Sequence, residues 1–277
     1  MKEDETMETI TLNNGVVMPM LGFGTWDVRN KATVLQALEQ GYRLIDTAQM
    51  YDNESIVGAA LRESGLARTE VFITTKLYRD CQSRAAAQAG IERSLNTLQS
   101  NWIDLLLIHE PYPAALEMYE ALKDALRAGK VRAIGISNFN ASRYDDFCTH
   151  CDIIPALNQV ESHIYYPQRS LATHLHKGGT QMQAWGPFTE GRRNIFAEPL
   201  LNEIGHQYGK TAAQVALRYL LQCGIAVVVK SAHPTRMAEN LDVFDFHLTA
   251  PEMARLATLD EKRSLFGWYD HPRRFEE

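Results

Sequence analysis

The 277-residue sequence has few cysteines, and none of the four lies in a disulfide or zinc-binding pattern. Cys148 and Cys151 form a single C-x-x-C, but a structural zinc site needs two more ligands at matching spacing. The pair also closes a helical stretch that starts at Ser142, whereas a redox pair opens a helix after a strand. The sequence therefore predicts no metal or redox centre, and free thiols fit a reducing compartment.

Excess positive charge and long apolar runs are also missing. The chain has 28 Lys and Arg against 34 Asp and Glu, which argues against a nucleic-acid-binding surface. No apolar run approaches the roughly 18 residues of a membrane span. The acidic start lacks the apolar core of a signal peptide. We expect a cytoplasmic monomer that binds neither nucleic acid nor membrane, with a disordered tail at residues 1–8.

The rest of the chain predicts one α/β domain, residues 9–277. Asn14-Gly15 between apolar runs indicates an N-terminal β-hairpin. Strand-like runs then follow at 21–24, 43–46, 71–76, 103–109, 131–137, 156–160, 181–185 and 226–230. Helical stretches lie near 30–40, 54–64, 84–98, 115–128, 141–149, 167–176, 210–222 and 235–241. Eight strands, each followed by a helix, predict a parallel (β/α)8 TIM barrel.

Polar side chains end seven successive predicted strands. They are Asp46, Lys76, His109, Ser137 with Asn138, Asn158 with Gln159 and Glu161, Trp185, and Lys230 with Ser231. Parallel strands in a closed barrel bring these ends to one rim, where such barrels keep their active sites. Beyond the strand that ends at Asp46 comes Tyr51, and Asp52 and Asn53 are predicted caps for a helix that starts near Glu54.

Asp46, Tyr51, Lys76 and His109 fit one reaction. A free tyrosine has a pKa near 10 and is a poor proton source at neutral pH. An ammonium about 4 Å away attracts a phenolate by roughly 4 kcal/mol at an effective dielectric of 20, which predicts a lowered tyrosine pKa. Asp46 would hold Lys76 charged, and His109 would orient a substrate carbonyl. This is half of a carbonyl reduction, and the other half is a hydride.

These residues lie in segments that resemble the aldo-keto reductase family, and the resemblance covers almost the whole chain. The matching segments are 21–26, 41–51, 75–77, 104–109, 129–139 and 230–240. In that family a tyrosine protonates the carbonyl oxygen while NADPH delivers hydride. The resemblance thus implies that Tyr51 is the proton donor, assisted by Asp46, Lys76 and His109.

The resemblance also implies the NADPH site. Ser137 and Asn138, with Gln159, are expected to hold the nicotinamide carboxamide, and Trp185 to stack on the nicotinamide ring. The remaining implied contacts are Gly24 and Thr25, then Lys230, Ser231 and Arg236 at the 2′-phosphate, and Glu239 and Asn240 at the adenine.

The substrate mouth departs from the family pattern. Glu110 replaces the tryptophan that usually follows the histidine, and Tyr78 stands where a tryptophan often follows the lysine motif. These two residues, with Trp26 and His109, are the implied substrate contacts. Gly186 replaces the usual serine after the stacking aromatic. The short C-terminal segment resembles that of microbial members, and we expect a small aldehyde, dicarbonyl or keto sugar as substrate.

Three alternatives remain at this stage. A class I aldolase would use Lys76 to form a Schiff base in a similar barrel. The Tyr-x-x-x-Lys pair of short-chain dehydrogenases occurs as Tyr119 and Lys123, although no Gly-rich phosphate loop accompanies it. We interpret that pair as part of a solvent-exposed helix face. A regulatory protein that binds NADPH without turnover would keep the same residues.

Overall fold

Eight parallel strands form a closed barrel at the centre of the protein, and they follow one another around it in sequence order. The computed structural model describes residues 7–267. The barrel strands are β3 (Leu21–Gly24), β4 (Leu44–Asp46), β5 (Phe72–Leu77), β6 (Ile103–Ile108), β7 (Val131–Ser137), β8 (Leu157–Glu161), β9 (Gln181–Trp185) and β10 (Ala226–Val229). Pairing of β10 with β3 closes the barrel. The predicted TIM barrel is confirmed, with every strand end within one residue of its predicted position.

The predicted N-terminal hairpin is confirmed as β1 (Thr9–Thr11) paired antiparallel with β2 (Val17–Pro19). Gly15 has a φ of 84°, a left-handed conformation that glycine adopts without steric cost. The Asn14 side chain donates a 2.8 Å hydrogen bond to the Arg132 carbonyl at the start of β7. The hairpin therefore lies against the amino-terminal end of the barrel. Of the predicted tail, residues 1–6 lie outside the described residues.

Helices surround the barrel. They are α1 (Lys31–Glu39), α2 (Glu54–Glu63), α3 (Arg84–Leu98), α4 (Ala115–Arg127), α5 (Ala141–Thr149), α6 (Arg169–Lys177), α7 (Pro199–Tyr208), α8 (Ala212–Gln222), α9 (Pro234–Leu241) and α10 (Ala250–Ala257). The sequence pattern predicted neither α7 nor α10. Both have proline in the first turn, where a missing N–H breaks no helical hydrogen bond. Among residues 7–267, no helix has the length and hydropathy of a membrane span.

The barrel wall is packed tightly enough to require glycine in β7. A Cβ built on Gly135 would lie 2.4 Å from the carbonyl oxygen of Leu157 on β8 and 2.8 Å from a Leu107 methyl group. Gly24 at the end of β3 is different, because its nearest neighbours would lie 3.8 Å from a Cβ. The first glycine is thus needed for strand contact, and the second is not.

We predict that Gly135→Ala lowers the free energy of unfolding by about 1–3 kcal/mol, the usual cost of overpacking a core. The matched change Gly24→Ala should leave it within about 0.5 kcal/mol of wild type. Urea unfolding followed by circular dichroism measures both. Equal stability of the two variants would show that β7 and β8 can separate without cost.

Candidate active site

A cavity of about 560 Å³ opens at the carboxyl ends of the barrel strands. The residues predicted from sequence that line it are Gly24, Trp26, Asp46, Tyr51, His109, Glu110, Ser137, Asn138, Gln159, Trp185 and Lys230. Lys76 lies directly behind this wall and is fully buried. The ends of seven strands thus meet around one space. A bound molecule there would touch acid, base, amide and aromatic groups at once.

Lys76 and Asp46 form an ion pair at the floor of this cavity. The Lys76 ammonium donates to the Asp46 carboxylate at 2.5 Å, to the Thr47 carbonyl at 3.0 Å and to the Tyr51 hydroxyl at 3.3 Å. Burial by itself lowers the pKa of Lys76, but the attraction of Asp46 and Tyr51 outweighs it and the pKa is raised. Lys76 is therefore a charged ammonium whose three donors all have acceptors.

The pKa of Tyr51 is raised above its ordinary value, opposite to the direction predicted from the sequence. Burial of the hydroxyl disfavours the phenolate, and this effect exceeds the stabilisation that Lys76 provides. The prediction was wrong because it counted the charge of Lys76 and omitted desolvation. Tyr51 consequently keeps its proton at neutral pH, and its hydroxyl is hydrogen-bonded to a cation.

His109 is a neutral imidazole at the same floor. Its pKa lies well below the ordinary value, because burial disfavours the charged ring and Lys76 repels it. The ring packs edge-on against Tyr51 and Tyr78, with centroids 5.6 Å and 6.3 Å apart. Its Nδ1 atom is buried and makes no hydrogen bond with the part of the chain that the structure describes. A neutral imidazole can donate one hydrogen bond to a substrate without adding charge.

A second set of hydrogen bonds joins the ion pair to the amides on the far side of the cavity. Gln159 on β8 donates to Asp46 at 2.7 Å and to Gln183 at 2.7 Å. The sequence indicated neither bond, because the partners are 113 and 24 residues apart in the chain. Asp46 thus receives Lys76 on one oxygen and Gln159 on the other. Its carboxylate therefore connects Lys76, beside the proposed proton donor, to the amide of Gln159.

The residues expected at the cofactor carboxamide are linked to the substrate mouth. Asn138 donates to the Glu110 carboxylate at 3.1 Å and accepts a 2.8 Å hydrogen bond from the Trp185 indole. Its backbone has a φ of 65°, a left-handed conformation that asparagine tolerates better than most residues. The Ser137 hydroxyl donates to the backbone carbonyl of Gln159 at 2.8 Å. Glu110 therefore contacts the amide side of the site directly.

Tyr51 lies in a single 3-10 turn, Gln49–Tyr51, which hydrogen bonds fix to α3. The Gln49 side chain donates to the Gly90 carbonyl and to the Ser94 hydroxyl, each at 2.9 Å. It also accepts from the Tyr78 backbone N–H at 3.1 Å. Gln49 was not among the predicted site residues, since its partners are distant in the sequence.

Asn53 precedes α2 as predicted, but its side chain does not cap the helix. The amide donates to the Thr25 and Val28 carbonyls at 2.8 Å and 3.2 Å, and it accepts from the Thr47 hydroxyl at 2.6 Å. The predicted capping role was wrong because the side chain is engaged by the loop after β3 and by Thr47 of its own connection between β4 and α2. Asn53 joins the loop after β3 to the loop after β4.

The residues expected at the phosphate end lie at β10 and α9. Lys230 and Arg236 are exposed, whereas Ser231 and Asn240 are buried and Glu239 is half-buried. Ser231 accepts a hydrogen bond from the His233 N–H at 3.1 Å. Of this group only Lys230 reaches the main cavity wall. Thr25 is also off that wall, because its hydroxyl donates to the Asp46 carbonyl at 2.9 Å.

Comparison with known proteins decides the family. The model of the aldo/keto reductase family matches residues 20–261. The chain belongs to the aldo-keto reductase family. It is 39% identical to methylglyoxal reductase DkgA of Salmonella typhimurium, covering 92% of this chain and 94% of that one. It is 38% identical to glyoxal reductase of Bacillus subtilis, covering 92% and 93%.

Solved aldo-keto reductase structures share the fold. The Bombyx mori aldo-keto reductase, solved in complex with NADP, superposes with a TM-score of 0.88 at 31% identity. The match covers 98% of this chain and 99% of that one. The protein is thus an oxidoreductase of this family.

The structure disfavours the other lysine-based interpretations. An aldolase lysine must lose its proton to form a Schiff base, but Lys76 is held charged by Asp46. Tyr119 and Lys123 are both buried, so the prediction of a solvent-exposed face was wrong. Tyr119 packs against Phe147 with ring centroids 5.0 Å apart, and Lys123 pairs with Glu120 and Asp152. Neither residue lines the aldo-keto reductase cavity.

Burial favours the protonated thiol form of both cysteines in the C-x-x-C pair. Cys148 and Cys151 are free thiols. Burial raises the pKa of Cys148 and raises that of Cys151 to about 12. Redox and metal-binding cysteines need the thiolate form, which these environments disfavour.

Several wall residues were not predicted from the sequence. They are Asp27, Met50, Gly186, Pro187, Phe188, Glu190, Val228, Val229 and Phe266. Most belong to the loop after β9 or to the C-terminal segment, neither of which has a periodic pattern.

We predict that the low pKa of His109 makes the protein less stable in acid. Below about pH 6.5 the unfolded chain protonates this histidine and the folded protein does not. Stability should therefore fall by up to about 1.4 kcal/mol per pH unit through this group. His109→Gln removes the titrating ring, so its unfolding free energy should change less between pH ~7.5 and ~5.5 than that of wild type. Identical pH dependence in urea unfolding would contradict a neutral His109.

Proposed function

We propose that the protein reduces aldehydes or ketones to alcohols with NADPH, and that Tyr51 donates the proton. The observation that supports this most strongly is the Tyr51 hydroxyl at 3.3 Å from the buried Lys76 ammonium, beside the neutral ring of His109. We further expect a cytoplasmic monomer with a single domain over residues 9–277, and the four free thiols fit that compartment.

The proton is supplied by residues of this chain. A carbonyl oxygen placed at the cavity floor would accept hydrogen bonds from Tyr51 and His109. As negative charge develops on that oxygen, the Tyr51 proton transfers to it. The adjacent Lys76 ammonium stabilises the phenolate that remains, and Asp46 keeps Lys76 in place. This arrangement stabilises charge that appears only during reaction, which is what accelerates the chemical step.

The side chains around the cavity fit a nicotinamide cofactor. Ser137, Asn138 and Gln159 offer hydroxyl and amide groups suited to a carboxamide, and the Trp185 ring offers a flat apolar face. Gly24 lines the cavity and has no Cβ, so the volume that a Cβ would occupy stays open. Lys230 and Arg236 supply exposed positive charge toward the phosphate end. When bound, the reduced cofactor would supply the hydride that the protein lacks.

The substrate is proposed to be a small aldehyde, dicarbonyl or keto sugar. The names of the two curated relatives, methylglyoxal reductase and glyoxal reductase, support a small dicarbonyl. Trp26, Tyr78, His109 and Glu110 are the proposed substrate contacts. Trp26 packs against Tyr51 with ring centroids 5.0 Å apart, so a carbonyl at Tyr51 would meet an aromatic wall.

Tyr51→Phe should lower kcat for methylglyoxal reduction by about 10² to 10⁴, the usual contribution of a general acid. NADPH affinity should stay near that of wild type, because the ring remains. Tyr208→Phe is the matched control, since its hydroxyl donates to Glu252 and it does not line the cavity. NADPH oxidation and cofactor fluorescence measure the two quantities. Near-normal turnover by Tyr51→Phe would exclude Tyr51 as the donor.

Arg236→Ala tests the preference for NADPH. A charge-assisted bond to the 2′-phosphate is worth about 1.5–3 kcal/mol, or roughly 10- to 150-fold in affinity. NADPH affinity should fall by about tenfold or more while NADH affinity barely changes. Arg62→Ala, on an exposed face of α2, is the control. Equal loss for both cofactors, or no loss for either, would reject this role for Arg236.

A further inference from the structure

Glu161 is a fully buried carboxylate at the end of β8 that the proposed reaction does not use. Its Oε1 atom accepts from the Leu265 backbone N–H at 2.8 Å and from His163 Nε2 at 3.0 Å. Its Oε2 atom accepts from the Ser264 hydroxyl. Two of these three donors come from the C-terminal segment, more than 100 residues away. Burying a carboxylate costs free energy unless it is hydrogen-bonded. The three donors therefore stabilise Glu161 in its buried position.

The hydroxyl of Ser264 extends this attachment into the next residues. Its oxygen accepts from the backbone N–H groups of Phe266 at 3.1 Å and Gly267 at 3.0 Å. Gly267 has a φ of 68°, so the chain turns sharply at this point. Residues 264–267 form what we call the C-terminal turn, and Glu161 accepts hydrogen bonds from its Ser264 and Leu265.

The C-terminal turn places an aromatic ring on the cavity wall. Phe266 packs edge-on against Trp185 with ring centroids 4.9 Å apart, and both residues line the cavity. The Arg192 guanidinium lies 4.3 Å from the centroid of the Phe266 ring. Trp185 is also the β9 residue that pairs directly with Glu161 of β8. Glu161 is thus the strand partner of Trp185, and it is also hydrogen-bonded to the turn whose Phe266 packs on the Trp185 ring.

We propose that Glu161 is a positioning residue that fixes the C-terminal turn, and through Phe266 the Trp185 ring, at the nicotinamide end of the cavity. This inference rests on the proposed function in that Trp185 is taken to face the nicotinamide. Glu161 itself would touch neither cofactor nor substrate. Its hydrogen bonds would decide whether the cavity wall is already formed before a ligand enters.

A second attachment of the same segment provides a control. Glu261 pairs with Arg193 at 2.9 Å, and both side chains are more than a third exposed. Exposed pairs contribute little. If Glu161 has the proposed role, removing the exposed pair should leave the C-terminal turn in place, whereas removing the buried hydrogen bonds should release it.

The first test is amide hydrogen exchange of the full-length protein without ligand, read over residues 264–267. Ser264→Ala and Glu161→Gln should each speed exchange there by about tenfold or more, the effect expected when a bond to a charged acceptor is lost. Ser264→Thr, which keeps the hydroxyl, and Glu261→Gln should exchange like wild type. Unchanged exchange in both Ser264→Ala and Glu161→Gln would overturn the proposal, and so would equal acceleration in Glu261→Gln.

The second test is steady-state reduction of methylglyoxal by NADPH. Ser264→Ala should weaken NADPH binding and raise KM by about three- to tenfold, while kcat stays within about threefold because Tyr51 and Lys76 are untouched. Ser264→Thr should restore both values. Faster exchange with unchanged NADPH affinity and KM would overturn the positioning role. If wild type showed no NADPH-dependent reduction, the proposed function would fail, and the exchange experiment would still decide whether Glu161 holds the turn.

Discussion

The buried ion pair between Lys76 and Asp46 is the interaction on which the site depends. Isolated charges in a protein interior cost several kcal/mol each, and a pair offsets that cost only with good geometry and further hydrogen bonds. Here Thr47 and Tyr51 accept from the ammonium, and Gln159 donates to the second carboxylate oxygen. Removal of one partner would leave the other charge buried, at a cost of about 3–5 kcal/mol. The groups proposed for proton transfer are thus also structural.

Much of this site could be predicted from the sequence because a parallel barrel converts chain order into proximity. Once eight strands are recognised, a polar residue at the end of each must lie on the same rim. Asp46, His109, Asn138 and Trp185 were found in this way, without knowledge of any contact. Tyr51 follows its strand and does not end it, and the chemistry that it could share with Asp46 and Lys76 indicated its role before the family resemblance did.

What the sequence did not predict depends on distant contacts. The direction of the Tyr51 pKa is set by burial, which cannot be known before the surrounding loops are placed. Asn53 looks like a helix cap locally, but its side chain is hydrogen-bonded to Thr47 and to Thr25 in the loop after β3. Phe266 lines the cavity in a segment that is hydrogen-bonded to Glu161, more than 100 residues away. In each case the deciding partner lies outside the range of a helix or hairpin pattern.

The sides of this site proposed to bind cofactor and substrate share hydrogen bonds. Glu110 stands where the resemblance places a substrate contact, and it accepts a hydrogen bond from Asn138, which is proposed to hold the carboxamide. Asn138 in turn accepts from Trp185, the proposed stacking ring. A tryptophan at position 110 could not accept that bond, since its indole nitrogen only donates. If Asn138 holds the carboxamide as proposed, the departure from the family pattern at Glu110 bears on how that amide is oriented as well as on which carbonyl enters.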